Sequence, residues 1–150
     1  MDYVVYEDRP RTDIWLKLIF LLPVALIFIS AFIFSKSDPA GIYVAIGAAI
    51  IMAILYFLII PTRYCILNNK MRIEFRGPFA FNMPFDTITD VRDARWSTAG
   101  INLPTTMSQS SVLEIVRKGR MSVTITPADK QAFVSNFHKA FQDWKQGKDI

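Results

Sequence analysis

Hydrophobic and polar positions follow three different rhythms along this chain. Before Pro61 the apolar residues run almost unbroken in two blocks. From Tyr64 to Thr126 they fall mainly at every second position, and beyond Thr126 they return every third or fourth. These rhythms predict, in order, two long apolar helices, a set of half-buried strands and one amphipathic helix.

Ala40 to Ile60 is uncharged over about 21 residues, which at 1.5 Å per residue covers roughly 30 Å, the hydrocarbon thickness of a bilayer. Leu18 to Phe34 is shorter and extends to Ile14 if Lys17 turns its ammonium toward the headgroups. A secretory leader competes for this first block. Its apolar stretch is too long for one, and no small-x-small cleavage site follows it. The connector Ser35 to Pro39 allows only a tight hairpin, so a transmembrane helical hairpin with both chain ends on one side is expected. Arg9, Arg11 and Lys17 precede it, and Arg63, Lys70, Arg72 and Arg76 follow it, against Lys36 alone in the connector. That bias places both termini in the cytoplasm. Trp15 and Tyr64 fall where interfacial aromatics belong. No ionisable residue sits mid-block, so no ion path is signalled. Gly41, Ala45, Ala49 and Ala53 recur every four residues and form a close-packing face, facing the other helix of the hairpin or a homodimer seam.

After Pro61, which ends the second helix, the strand rhythm begins. Tyr64 to Leu67 reads as a first strand. Met71, Ile73 and Phe75 then share one face while Arg72, Glu74 and Arg76 share the other. Phe79, Phe81, Met83 and Phe85 form a third face, and "TITDVRDARW" a fourth strand. Ser97 to Ser111 lacks apolar periodicity and reads as a long loop. Val112 to Arg117 and Met121 to Thr126, joined by Lys118–Gly119–Arg120, read as a hairpin. Thr126 as cap, Pro127 in the first turn and Asp129 beside the dipole start a helix. Its Phe133, Phe137 and Phe141 stripe requires an apolar partner.

The matching text from "YCILNNKMRIEFRGPFAFNMPFDTITDVRDA" through "VLEIVRKGRMSVTITPADKQAFVSNF", about Thr62 to Phe137, resembles bacterial membrane-anchored PH-like proteins of the YyaB-like type. The resemblance implies an α+β fold. In it the two-helix transmembrane hairpin precedes a PH-like antiparallel β-barrel or sandwich of six to seven strands, capped by the C-terminal amphipathic helix. The expected organisation is 1–13 as a cytoplasmic N-terminal segment, 14–60 as the hairpin and 61–150 as a cytoplasmic PH-like domain, in a multi-pass protein of the bacterial inner membrane. The resemblance implies no activity. One departure is that "MSQSSVLEIV" keeps Ser111 but lacks the acid and arginine that such proteins often place before the fifth strand.

Composition adds little to this picture. The 150 residues are 52% hydrophobic with a net charge of +4. From Pro61 onward basic residues exceed acidic ones by about five, which favours anionic surfaces. Cys65 is alone, so no internal disulfide or zinc cluster is signalled. His138 has no catalytic partner in view, and Asp86, Asp90 and Asp93 are not spaced to converge. No phosphate loop or hydrolase motif is present. Nucleic-acid binding is disfavoured because the basic residues are not interleaved with aromatics. The expected function is therefore a non-catalytic binding or scaffold module without cofactor, recognising a protein partner or anionic lipid, with an accessory subunit of a membrane complex as the alternative. The lipid-facing candidates are Arg63, Lys70, Arg72 and Arg76, and at a hairpin tip Arg117, Lys118 and Arg120.

Overall fold

The chain divides at two peptide junctions. Residues Met1–Thr12 and Ile60–Ile150 form one unit and Asp13–Ile59 the other. The computed structural model describes residues 2–34, 39–94, 100–103, 105–106 and 108–147.

The smaller unit is a pair of helices, α1 (Ile14–Phe34) and α2 (Pro39–Ile59), packed against one another. Of the small-residue face expected on α2, Ala49 is buried, Gly41 and Ala45 are half-buried and Ala53 is exposed. Trp15, Phe32 and Tyr43 are among many large apolar side chains exposed on this unit.

Among the described residues no helix is long and apolar enough to cross a membrane. That corrects the transmembrane hairpin expected from the sequence, and with it the multi-pass inner-membrane placement with cytoplasmic termini. The expectation counted each apolar block from end to end. Lys17 and Pro23 lie inside α1, where a charge and a residue without an amide proton interrupt the apolar block.

The larger unit holds two four-stranded sheets. The first runs in the order β1 (Val4–Asp8), β2 (Pro61–Leu67), β3 (Lys70–Phe75), β4 (Ala80–Pro84), antiparallel throughout. The second comprises β5 (Ile88–Asp93), β6 (Gly100–Asn102), β7 (Leu113–Arg117) and β8 (Ser122–Ile125), in the order β5-β7-β8-β6. The expected antiparallel barrel or sandwich of six to seven strands is thus corrected in two respects. Residues assigned to a free N-terminal segment supply an eighth strand, β1, along β2. Part of the expected loop 97–111 supplies β6, which runs parallel to β8; residues 97–99, 104 and 107 of that stretch lie outside the described residues.

The core lies between the sheets and α3 (Lys130–Lys145). Met71 and Ile73 are fully buried while Arg72 and Glu74 are not, as a strand with one face inward requires. Phe85 leaves the strand rhythm for a short 3-10 turn. There it packs edge-on against Phe137, Phe141 and Trp144 at ring distances of 5.6, 5.6 and 5.9 Å. Asp129, not Thr126, caps α3, accepting from the Ala132 amide at 2.9 Å. Thr126 is instead wholly buried, together with Tyr64, which was expected at a membrane interface.

Candidate anion-binding site

β7 and β8 are joined by a turn whose Gly119 has φ +65°, a left-handed conformation that glycine adopts without steric cost. The Lys118 amide donates to the Thr87 carbonyl at 2.8 Å, which ties the root of the turn to the entry of β5. Lys118, Arg120 and Met121 beyond it are exposed.

Arg117 differs from its neighbours. It ends β7, opposite Ile88 of β5, and is only 8% exposed. Its guanidinium lies over the ring of Phe81 on β4, with Cζ 5.3 Å from the ring centroid, so one side chain spans from the second sheet to the first. Its Nε is closed off from solvent and has no hydrogen-bond partner among the described residues. Burial, and then the nearby charge of Arg120, weaken its hold on its proton relative to an ordinary arginine. A buried polar group left unpaired costs about 1–3 kcal/mol, and a cation over an aromatic face returns about 0.5–2 kcal/mol. The ring therefore offsets part of the cost and leaves the donor edge unsatisfied.

The other predicted cations have found partners. Arg63 Nη1 lies 3.2 Å from Glu7 Oε1 and Lys70 pairs with Asp2; both acids come from the N-terminal segment 1–13, which was expected to lie outside the β domain. Arg72 Nε stands 3.1 Å from Glu74 Oε1, close enough for an ion pair though not aligned as a hydrogen bond. Arg76 is exposed in the β3–β4 turn. The structure thus splits the seven candidates. Three of the first four face carboxylates, whereas Arg117, Lys118 and Arg120 have none in ion-pair reach among the described residues.

No family model matches this chain, and neither any curated protein nor any solved structure is significantly similar to it.

A concavity of about 680 Å³ opens beside the start of α3, lined by Arg11, Asp93, Ser110, Ser111, Lys130 and Ser135 among others. Its cations are already engaged. Lys130 Nζ pairs with Asp93 at 2.8 Å and donates to the Ser110 carbonyl at 3.0 Å. Arg11 reaches the Ser111 hydroxyl at 3.4 Å. The nucleophile candidates are equally unpromising. Burial, with Glu74 and Glu7 nearby, pushes the Cys65 thiol up to about 11, far from a reactive thiolate. His138 is exposed on α3. Among the described residues no group of acids, histidines and cysteines could hold a metal ion.

Proposed function

We propose that this chain is a non-catalytic binding module whose β unit recognises an anionic phospholipid surface through the β7–β8 turn. One observation carries this reading: Arg117, Lys118 and Arg120 are gathered within four positions with no carboxylate in ion-pair reach among the described residues. Lysine and arginine near an anionic leaflet contribute about 1 kcal/mol each. Met121, 70% exposed beside Arg120, adds an apolar side chain suited to the acyl boundary of such a surface.

Vesicle co-sedimentation of the full chain tests this. Binding is expected to phosphatidylcholine vesicles doped with phosphatidylglycerol and not to phosphatidylcholine alone, and to weaken as salt screens the charges. The double substitution Lys118→Gln, Arg120→Gln removes most of that binding, while Arg63→Gln, whose cation is already paired, changes it little. Binding that is absent, or indifferent to vesicle charge, rejects the lipid reading and favours a protein partner.

A further inference from the structure

We propose that the outer edge of β4 is a dimerisation surface: a second copy of this chain adds its own β4 there, antiparallel and about a two-fold axis at Phe81, so that the first sheets of both copies become one.

The two sheets end in four edge strands, β1 and β4 in the first and β5 and β6 in the second. An edge strand presents unpaired amides and carbonyls that recruit another strand, and charge, a bulge or brevity is what normally prevents this. Three of the four are guarded in these ways. β1 carries Glu7 and Asp8 and shifts register between Val4 and Tyr6. β5 carries Asp90, Arg92 and Asp93 and shifts between Ile88 and Asp90. β6 is three residues long. β4 has no charged residue and pairs with β3 without a shift.

The hydrogen bonds at its two ends show which groups are left over. The Phe75 amide donates to the Phe79 carbonyl at 3.1 Å and the Phe85 amide to the Asn69 carbonyl at 3.0 Å. With Ile73 opposite Phe81 and Met71 opposite Met83, the alternation of an antiparallel ladder turns the main-chain groups of Phe81 and Met83 toward β3 and those of Ala80, Asn82 and Pro84 outward. Pro84 fits this parity, since a residue without an N–H is tolerated where a strand faces out. Its carbonyl already accepts from the Thr87 hydroxyl at 2.7 Å. Ala80 and Asn82 each keep one amide and one carbonyl, with no other hydrogen bond found for them among the described residues.

That leftover set is complementary to itself. Ala80 and Asn82 flank Phe81 symmetrically, and Pro78 and Pro84 stand three residues to either side. A two-fold at Phe81 sets Ala80 of each copy opposite Asn82 of the other and satisfies all of these groups. Sliding the axis toward Pro84 calls on the carbonyl that Thr87 already uses, and sliding it the other way runs into the turn at Gly77, whose φ is +131°. Because the edge is neutral, an identical strand brings no like charge against it. The same addition lays Phe79, 58% exposed at the mouth of the strand, beside Met83 of the second copy.

Sedimentation equilibrium of the full chain, with amide hydrogen exchange, tests this. A monomer–dimer equilibrium is expected, with the Ala80 and Asn82 amides exchanging more slowly in concentrated than in dilute solution. Asn82 is exposed, so charging it leaves the core alone, and across the two-fold the two copies of this side chain are diagonal neighbours on one face. Asn82→Lys and Asn82→Glu are each expected to associate at least threefold more weakly than the wild type. An equimolar mixture of the two should associate at least threefold more tightly than either alone. Val4→Lys, on the opposite edge of the same sheet, should change association less than twofold. A chain that is monomeric at every concentration overturns the proposal, and if its two amides are nevertheless protected, part of the chain itself covers the edge. A dimer indifferent to both charges and to their mixture forms through another surface and overturns it equally. Should either variant fail to fold, the concentration dependence of the wild-type amides decides.

Discussion

The hydroxyl oxygens of Thr105 and Thr126 lie 2.6 Å apart in the interior, and their surroundings order the protons between them. Thr105 donates its hydroxyl to the Arg11 carbonyl at 2.6 Å, so the shared proton comes from Thr126. Thr126 Oγ1 in turn accepts from the Thr105 amide at 3.1 Å. The Tyr64 hydroxyl joins the cluster, accepting from the Thr126 amide at 3.5 Å, and burial pushes its proton affinity up to about 12. Four chain segments distant in sequence are thereby closed around one set of hydroxyls. Thr126→Val is expected to leave the Thr105 amide unpaired and cost about 1–3 kcal/mol. Because the two hydroxyls share a bond, Thr105→Val together with Thr126→Val should cost less than the sum of the singles. Urea midpoints of the four proteins give the answer, and strict additivity would refute the coupling.

Gly100 and Ser122 are register partners in the parallel pairing of β6 with β8. A Cβ at Gly100 would run into the Ser122 backbone carbonyl and its hydroxyl. Backbone cannot step aside cheaply, so Gly100→Ala is expected to cost about 1–3 kcal/mol, as overpacking does. In a unit of this size that lowers Tm by roughly 4–8 °C per kcal/mol. An alanine variant that melts with the wild type would mean that β6 does not lie against β8.

How much of this was legible in the sequence depends on how local each signal is. The alternation at Met71, Arg72, Ile73 and Glu74 is written into adjacent residues, and β3 follows it. The Phe133, Phe137 stripe of α3 is read in the same way and is buried. β1 gives no such signal: Val4, Val5 and Tyr6 do not alternate, and the partner strand lies beyond the whole helical hairpin. Missing β1 also meant missing Asp2 and Glu7, so Lys70 and Arg63 looked free when they were not. β6 is three residues long and parallel, too short for any period to show. At the candidate site, sequence placed Arg117, Lys118 and Arg120 together. It could not distinguish the buried member, because that depends on Phe81 arriving from another sheet. The apolar blocks were plain in composition, yet among the described residues no helix is long and apolar enough to cross a membrane.

Cys65 lies in β2 between β1 and β3, opposite Glu7 and Arg72, and is 4% exposed. With its thiol raised from 9.0 to about 11, the thiolate fraction near pH 8 falls on the order of a hundredfold, since each unit is a factor of ten. Iodoacetamide should therefore label the native chain far more slowly than the urea-unfolded chain. Removing residues 1–8 uncovers the β2 edge and should speed labelling without denaturant. Equal rates for the native and unfolded chains would show that β1 does not cover this strand.

Glu114 sets an acid limit on stability. It is 4% exposed on β7, opposite Arg92 of β5, whose Nε lies 2.9 Å from its Oε2. A hydrogen bond from Ser122, helped by Arg92 and opposed by burial, holds its carboxyl below the ordinary 4.5. The folded chain therefore takes up this proton less readily than the unfolded chain. The stabilisation is complete above about pH 4.5 and is lost as pH falls through the lower folded value. Asp2 is shifted the same way by Lys70 and Asn69, but it is exposed, so solvent screens its share. Glu114→Gln removes the charge from a pair whose other member stays cationic. The variant should be less stable than wild type at pH 7, and the gap should narrow steadily as pH falls below 4.5. Urea midpoints across that range test the sign as well as the size. A gap that stays constant with pH would show that the Glu114 carboxylate contributes packing and not charge, because only a proton taken up differently by the two states can make stability depend on acid.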